Sequence, residues 1–449
     1  MEEMTLELLT QLISEKKVQR IREIFDEYNI VDLAELVGEL SLEDTIFLFK
    51  VLKNTVSGDL FSYLEIEKQQ VLLDTFTGPQ IKGILDHLFS DDIIDFMEEM
   101  PSTIVKKVLS SVDSSQREEI NTLLSYGTDT AGSIMSTDYV ELLEEDSVER
   151  AMRKIKSQGK MAETINYCFI TNSHDVLVGC VSLRDILFAP ENSTIGDLMM
   201  TDLIVANTRD AQEEVIRQIQ KYDITIVPVV DDNNRLVGVI TVDDVMDAIE
   251  DEATEDIQKM GGITPIEGSY LKMPIIQMAK SRLLWLMILM ISYAISSLII
   301  TENDYILTAV PSLVIFMPML MDTAGNAGNQ ASAMIIRAIT VEGLTMKDFF
   351  KVLWKEFRVA FICGGILFVV NTLRIVFFVP NVGWDIGVTV SLTLFMVVFV
   401  SKMIGGFLPL FALMIKQDPA AMASPLIATT VDALSLVVYF SLARILLKI

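Results

Sequence analysis

The sequence predicts a multidomain chain in three parts: an all-α soluble region, a repeated α/β region, and an α-helical transmembrane region. Three observations predict this fold class. Apolar residues recur at helical spacing before residue 130, one strand-turn-strand pattern occurs twice between residues 131 and 254, and five long apolar stretches follow residue 276. The predicted domains are therefore 1–130, 131–254 and 276–449. An acidic connecting helix over 242–275 overlaps the end of the second repeat.

Charge separates the soluble part of the chain from the membrane part. Residues 1–275 contain 53 acidic and 23 basic residues, a net charge of −30, whereas residues 276–449 contain 9 acidic and 12 basic residues, a net charge of +3. A surface this negative repels polyanions and attracts cations, which excludes nucleic acid as a partner. The three cysteines form no C-x-x-C pair, which argues against a disulfide framework or a thiolate metal site.

The first 130 residues have the pattern of short amphipathic helices. Apolar residues fall at i, i+3 and i+4 intervals, and turn signals such as T-G-P and M-P-S separate the segments. One segment, S-D-D-I-I-D-F-M-E-E-M, places Asp91 and Asp95 one helical turn apart. Carboxylates at this spacing repel each other, so either solvent screens them or a cation bridges them.

The α/β region consists of two copies of one pattern. D-V-L-V-G-C-V-S-L-R-D-I-L aligns with N-R-L-V-G-V-I-T-V-D-D-V-M, which places Gly179 over Gly238 and Asp185 over Asp244. The first copy is longer because of an insertion around 161–167. The shared L-V-G-x-[IV]-[ST]-x-x-D core resembles CBS domains, so a CBS-domain pair is expected; a generic α/β domain is the alternative.

Resemblance to CBS domains also suggests a ligand. CBS pairs in other proteins often bind adenine nucleotides in the cleft between the repeats, so ATP is a candidate ligand of this pair. Thr241 and Asp244 are the only residues that we name for it, because the other positions that carry this role are too variable to assign.

The second repeat ends in an acidic run that leads toward the membrane, V-D-D-V-M-D-A-I-E-D-E-A-T-E-D-I. A charge run is most often a solvated helix face. Here, however, a second acidic helix is present in the same membrane protein, and carboxylates are the ligands that Mg²⁺ and Ca²⁺ prefer. Two bare acidic surfaces repel each other, and divalent cations between them draw them together. On one continuous helix the run forms two acidic stripes, one with Asp244, Asp247 and Asp251 and one with Glu252, Glu255 and Asp256.

Five apolar stretches make up the predicted transmembrane region. Basic residues precede the first stretch and fill the second loop, whereas the first and third loops contain none. The positive-inside rule therefore predicts a multi-pass cell-membrane protein with cytoplasmic N-terminal domains and an outside C-terminus. No signal peptide is expected, because no basic segment followed by an apolar core begins the chain. The stretches lie near 283–300, 306–339, 359–379, 386–415 and 424–446.

Two polar features stand out in these stretches. Asp432 lies within the last one, and an ionisable residue inside a membrane is by default a functional candidate. The run M-D-T-A-G-N-A-G-N-Q-A-S, residues 321–332, interrupts the second one and is expected to break its helix, so that free carbonyls line water and coordinate a cation or its hydration shell. The alternative is structural, an ion pair between Asp432 and Lys402 or Arg374.

The A-G-N-A-G-N-Q motif, together with D-P-A and S-P-L-I-A-T-T-V-D near the C-terminus, closely resembles the MgtE family of bacterial Mg²⁺ channels. The resemblance implies a homodimer in which Asp432 faces its twin across the dimer axis. The implied pore residues are Asp432, Gly325, Asn326, Gly328, Asn329 and Ala428. The implied regulatory Mg²⁺ ligands are Asp91, Asp95, Glu213, Asp223, Asp244, Asp247, Glu252, Glu255 and Asp256.

The expected function is passive, Mg²⁺-selective uptake through a channel. Cytoplasmic Mg²⁺ closes it by binding at acidic interfaces between the N domain, the CBS pair and the connecting helix. A secondary Mg²⁺ transporter coupled to Na⁺ or H⁺ is the main alternative, and a nucleotide-sensing membrane regulator built on the CBS pair is the second. No ATP-hydrolysing signature is present, so primary active transport is not expected, and the expected channel is not an enzyme. The sequence leaves the role of Asp322 open.

Overall fold

Ten short α-helices form the described part of the N-terminal region. In the computed structural model, which describes residues 5–190, 192–266, 268, 270–271, 273–380, 382–421 and 424–449, their inward faces are buried in one continuous apolar core. Side-chain caps begin several of them; the Asp113 carboxylate, for example, accepts the backbone N–H of Gln116. The helices are α1 Leu6–Ser14, α2 Val18–Glu27, α3 Ile30–Glu39, α4 Leu42–Val51, α5 Asn54–Ser62, α6 Ile66–Thr75, α7 Gly78–Leu85, α8 Ser90–Glu99, α9 Ser102–Ser111 and α10 Ser114–Leu123.

The α/β region contains two three-stranded sheets of identical topology. In each sheet the first strand pairs parallel with the second, and the second pairs antiparallel with the third. The first copy contains β1 Glu141–Leu143, α11 Val148–Gln158, β2 Tyr167–Thr171, β3 Leu177–Ser182 and α12 Leu183–Leu187. After α13 Ile195–Leu198, the second contains β4 Ala206–Asn207, α14 Gln212–Tyr222, β5 Ile226–Val230, β6 Leu236–Thr241 and α15 Val242–Met260.

The aligned glycines of the two repeats have the same structural role. A Cβ atom at Gly179 would lie 2.8 Å from the carbonyl oxygen of Met200, and one at Gly238 would lie 3.0 Å from the carbonyl oxygen of Ser136. The segment that precedes each repeat therefore crosses the glycine of the other repeat, which leaves no room for a side chain. This exchange joins the two copies into one pair, as the repeat predicts.

The C-terminal region is helical, and the predicted fold class is confirmed. The boundary between two compact units, Met1–Ile249 and Glu250–Ile449, falls within α15. The second unit contains α16 Ile275–Glu302, α17 Asp304–Ala309, a 3₁₀ segment Pro311–Phe316, α18 Met317–Glu342, a 3₁₀ turn Met346–Asp348, α19 Phe349–Phe378, α20 Trp384–Met414 and α21 Ser424–Leu447.

Four helical segments among the described residues are long and apolar enough to cross a membrane, judged by length and composition. They are Ile275–Glu302, Met346–Phe378, Trp384–Met414 and Leu426–Leu447. The helix α18, with 26 residues, has a comparable length but carries the polar run. The count of five spans therefore remains a prediction.

The prediction of a broken helix over 321–332 is wrong. The helix α18 runs through the whole polar segment, and the irregular backbone lies earlier, in the 3₁₀ segment that starts with Pro311. Proline supplies no N–H donor, which favours a break there. The Tyr439 hydroxyl donates a hydrogen bond of 2.8 Å to the carbonyl of Leu313 and so satisfies one acceptor of the irregular segment.

Packing against neighbouring helices explains why glycine and asparagine remain helical in α18. A Cβ atom at Gly405 of α20 would lie 2.2 Å from the carbonyl oxygen of Gly328, so the two backbones touch at this crossing. Small residues allow such close approach between membrane helices. The packing gained offsets the roughly 1 kcal/mol by which glycine disfavours a helix.

The substitution Gly405→Ala should therefore destabilise the second unit. The added methyl group must push α18 away, which costs about 1–3 kcal/mol in a well-packed interior. Thermal unfolding of the full chain in detergent measures the effect. Gly365→Ala on α19 is the matched control, because a Cβ atom there meets nothing within 4 Å. Equal melting temperatures for the two variants would contradict the close crossing.

Candidate ion pathway and acidic cluster

A cavity of about 630 Å³ lies in the second unit, where α16, α18 and α21 meet the 3₁₀ segment. Its wall contains two carboxylates, Asp322 of α18 and Asp432 of α21, and two amide side chains, Asn326 and Asn329. Carboxylate and amide oxygens are ligands that hard cations accept. Asp322 thus lies on the cavity wall well inside α18 and does not cap a broken helix.

The cavity brings together most of the predicted pore residues. Five of the six line its wall: Asp432, Asn326, Asn329, Gly325 and Ala428. Gly328 does not, because it faces α20 and α21 and packs against Ile427. The backbone near these residues is helical, so its carbonyls are engaged within α18 and the side chains supply the polar lining. Their role in conduction remains a prediction.

The cavity wall also carries an unsatisfied polar atom. Asn329 Oδ1 is buried and has no hydrogen-bond partner among the described residues. An orphaned buried oxygen is costly unless water or an ion meets it. Asn329 lies on the same cavity wall as Asp432, and the charge of Asp322 acts on the Asp432 carboxylate. The arrangement suits a water-filled site that attracts a cation.

The structural alternative for Asp432 finds no support. Lys402 is buried on α20 and interacts electrostatically with Glu356 of α19. Arg374 donates from Nε to Oδ1 of Asn371, over 3.1 Å. Within the described part of the chain, neither cation forms an ion pair with Asp432.

A second group of acidic residues lies in the first unit, between α8 and the first turns of α15. It contains four predicted ligands, Asp91 and Asp95 of α8 and Asp244 and Asp247 of α15. The charge of Asp244 acts on both α8 carboxylates, and that of Asp247 acts on Asp95. The structure therefore brings the two acidic helices together, as the charge patterns predict.

Three further carboxylates belong to this acidic cluster and are absent from the predicted ligand set: Asp92, Asp138 and Glu163. Glu163 acts on Asp91, and Asp138 acts on Asp92 and Glu163. Two of the three lie at recognisable places in the sequence, although only the fold brings their side chains to the cluster. Asp138 ends the M-S-T-D segment that precedes the first repeat, and Glu163 lies in the insertion that lengthens it.

Burial and mutual repulsion raise the pKa values in the acidic cluster. Burial first, and then the charges of Glu163 and Asp244, raise the pKa of Asp91 to about 10. The pKa of Asp95 is raised to about 7 by burial and then by Asp92 and Asp244. Burial likewise raises the pKa of Asp92 to about 6 and that of Glu163 to about 7. Without a counter-ion the cluster is therefore held partly protonated.

Two carboxylate oxygens in the acidic cluster, Asp91 Oδ1 and Glu163 Oε1, are buried without a hydrogen-bond partner among the described residues. A divalent cation would satisfy both the orphaned oxygens and the excess charge. Within the described ranges, no three such side chains are close enough to hold a metal ion directly. Mg²⁺ fits nevertheless, because it dehydrates reluctantly and is commonly held through its own water molecules.

The remaining predicted ligands lie elsewhere along the chain. Glu213 is in the first turn of α14, and Asp223 ends that helix in a left-handed conformation. Glu252, Glu255 and Asp256 lie on the part of α15 that belongs to the second unit. Their predicted role as ligands remains a prediction.

A smaller cavity, of about 200 Å³, lies between the two repeats of the first unit. Aromatic and acidic side chains line it, among them Tyr167, Phe169 and Asp202. Thr241 and Asp244, the residues named from the sequence for a nucleotide, are not on this wall. The Thr241 hydroxyl instead donates to Asp244 Oδ2 over 2.6 Å, at the start of α15.

Family models match three parts of the chain. A model described as a divalent cation transporter, MgtE, matches residues 317–442; the MgtE intracellular N domain matches 28–129; and the CBS domain matches 131–192 and 195–251. The chain is 32% identical to the magnesium transporter MgtE of Thermus thermophilus, over an alignment of 455 positions that covers 100% of both proteins. It is 32% identical to MgtE of Bacillus subtilis, over 96% of this chain and 95% of the relative.

Two solved structures resemble the cytosolic part. The soluble part of a magnesium transporter is 31% identical, has a TM-score of 0.53, and matches over 55% of this chain and 98% of the other. The cytosolic domain of the Mg²⁺ channel MgtE in complex with ATP is also 31% identical, with a TM-score of 0.51 over 54% of this chain and 100% of the other.

Proposed function

Because this chain belongs to the MgtE family of magnesium transporters, which are not enzymes, we propose that it is a channel for passive, Mg²⁺-selective uptake that cytoplasmic Mg²⁺ closes. The observation that carries the proposal is the cavity whose wall holds Asp322, Asp432 and two asparagine amides. The protein lies in the cell membrane, with its N-terminal domains in the cytoplasm and its C-terminus outside.

The dimensions of the cavity support passage of a hydrated ion. Mg²⁺ keeps an octahedral shell, and six waters at roughly 30 Å³ each occupy about 180 Å³. The cavity of about 630 Å³ accommodates this shell. Asp432 attracts the ion, and its charge favours cations over anions. Because Asp322 and Asn326 are exposed in the single chain, we place the complete pore at the axis of a homodimer, with Asp432 facing its twin.

The acidic cluster supplies the sensor for closure. When cytoplasmic Mg²⁺ is low, its carboxylates repel one another, and α8 and α15 separate. When Mg²⁺ is high, ions between Asp91, Asp95, Asp244 and Asp247 draw the two helices together. The helix α15 continues from this cluster into the second unit, so its position is the signal passed to the pore.

Protons should compete with Mg²⁺ for the acidic cluster. The folded-state pKa values of Asp91, Asp95 and Glu163 lie above the ordinary values, so the Mg²⁺-free protein binds more protons than the unfolded chain. It therefore loses stability as pH rises from about 4 through about 7 for Asp95 and Glu163, and through about 10 for Asp91. Metal binding requires deprotonated carboxylates, so Mg²⁺ affinity should rise with pH by up to about tenfold per unit for each proton released.

Calorimetry of the full chain with Mg²⁺ in two buffers of different ionisation enthalpy, between pH 6 and 8, measures this release directly. We expect at least one proton per binding event near pH 7, and thermal stabilisation by Mg²⁺ that grows with pH. An affinity that is constant over this range would contradict the assignment of these carboxylates as ligands.

A secondary transporter that exchanges Mg²⁺ for Na⁺ or H⁺ is the alternative, since a membrane carboxylate serves either mechanism. Electrical recording from reconstituted protein separates the two. We expect Mg²⁺ currents above carrier turnover that do not depend on a Na⁺ or pH gradient. Strict dependence on such a gradient would favour the carrier.

ATP is a second proposed ligand, supported by the similar cytosolic domain that was solved with ATP. We place it in the cavity of about 200 Å³ between the repeats, where Tyr167 and Phe169 offer aromatic faces to an adenine ring. Calorimetry with ATP and with Mg²⁺ tests this ligand. ATP binding combined with an absence of Mg²⁺ flux would instead favour a nucleotide-sensing regulator.

A further inference from the structure

The C-terminal end of α15 is joined to the loop between α20 and α21 by an ion pair. Lys259 donates from Nζ to Oδ2 of Asp418 over 2.5 Å, and to Oε1 of Glu255, one turn earlier on α15, over 2.7 Å. The Lys259 side chain is only 21% exposed. One ammonium group therefore lies between two carboxylates from different elements of the second unit.

Both sides of this ion pair are held in place by other contacts. The Asp418 carboxylate accepts the backbone N–H of Ala420 over 2.7 Å, which orients it within its own loop. Met260, next to the lysine, packs against Ala420 and against Ile336 of α18. Isolated surface ion pairs contribute little to stability. This one is part-buried, shared by two carboxylates and supported by apolar packing.

The bridging cation belongs to the chain itself. The Lys259 ammonium contacts both carboxylates, Asp418 Oδ2 at 2.5 Å and Glu255 Oε1 at 2.7 Å. Two carboxylates that face each other from separate elements can be bridged by a divalent ion. Here an ammonium group of the chain occupies that position.

The ion pair joins two segments that are far apart in the sequence. From α15 the polypeptide continues to α16, whereas Asp418 lies six residues before the start of α21, the helix that carries Asp432. The ion pair thus connects the end of the acidic helix directly to the segment that enters the helix with the proposed pore carboxylate.

We infer that Lys259 is a positioning residue that couples α15 to α21 independently of Mg²⁺, so that a movement of the acidic helix reaches Asp432. The inference rests on the proposed function. A helix moves as a rigid element, so a permanent contact at its end transmits its displacement to the next element. A contact that depended on Mg²⁺ would first have to form. The acidic cluster senses Mg²⁺, and Lys259 passes on the response.

The test is Mg²⁺ flux into proteoliposomes with Lys259→Gln, as the Mg²⁺ concentration on the side of the soluble domains is varied. We expect the concentration that halves the flux to rise by about five- to tenfold, the lower range of allosteric coupling. Flux at low Mg²⁺ and the thermal shift caused by Mg²⁺ at the acidic cluster should be retained. Lys259→Arg should behave as the wild type because it keeps the cation. Lys416→Gln is the matched control, an exposed cation of the same loop.

Exchanging the charges of Lys259 and Asp418 tests the same contact if Lys259→Gln fails to fold. Lys259→Glu alone should weaken closure, and the double variant Lys259→Glu with Asp418→Lys should restore it, because one ammonium again lies between two carboxylates. Unchanged closure in folded Lys259→Gln, or an exchange that restores nothing, would overturn the inference. If the wild type in the same vesicles is not closed by Mg²⁺, the proposed function fails instead.

Discussion

Replacing Asp432 by asparagine should abolish Mg²⁺ flux while leaving the protein folded. The side chain keeps its shape and loses the negative charge that attracts the cation to the cavity shared with Asp322. Loss of a charged contact worth about 3 kcal/mol corresponds to roughly a hundredfold decrease. Flux of Mg²⁺ into proteoliposomes, normalised to the amount of folded protein, measures it. Asp432→Ala should have the same effect.

The matched control for this substitution is Asp385→Asn. Asp385 is an exposed carboxylate in the first turn of α20, outside the residues that line the cavity, so its loss should leave flux close to that of the wild type. Asp432→Glu, which keeps the charge on a longer side chain, should retain part of the flux. Normal conduction by Asp432→Asn would remove this carboxylate from the ion pathway.

Neutralising the centre of the acidic cluster should leave the channel open at high Mg²⁺. The double substitution Asp91→Asn with Asp244→Asn removes the carboxylate that is most deeply buried in the cluster and its partner on α15. Without Mg²⁺ the variant should be more stable than the wild type, because two of the mutually repelling buried carboxylates are removed. With Mg²⁺ it should lose the stabilisation that a bound ion provides, about 2.7 kcal/mol per site at a hundredfold excess over the dissociation constant.

Mg²⁺ flux and thermal unfolding, each measured across a Mg²⁺ titration, check both parts of this prediction. The control replaces two exposed acids of the same unit, Glu35 and Glu39 of α3, by glutamine, which gives the same change in net charge. If that control also fails to close, net charge and not the acidic cluster is the determinant. Normal closure of the Asp91 and Asp244 variant would count against the sensor.

Features encoded by local patterns could be predicted from the sequence. The helices of the N-terminal region follow from apolar spacing, and the paired sheets follow from the repeat around Gly179 and Gly238. The proximity of the two acidic helices could also be predicted, because two segments with unbalanced negative charge can share a bridging cation. In each of these cases the signal lies within a few residues of the feature.

Features that depend on distant contacts could not be predicted. The continuity of α18 through Gly328 results from its crossing with Gly405, which no local pattern reveals. Glu163 reaches the acidic cluster from an insertion whose path depends on the fold. Glu255 has the sequence signature of a metal ligand, yet its neighbour at the end of the same helix is the ammonium of Lys259.

The most direct test of the central claim is Mg²⁺ flux through the wild-type protein in liposomes, with the Mg²⁺ concentration varied on the side of the soluble domains. Passive transport with negative feedback predicts rapid flux down the Mg²⁺ gradient at low concentration, and a steep fall as Mg²⁺ on that side fills the acidic cluster. Flux that stays constant across the titration, or that requires a Na⁺ or proton gradient, would contradict it.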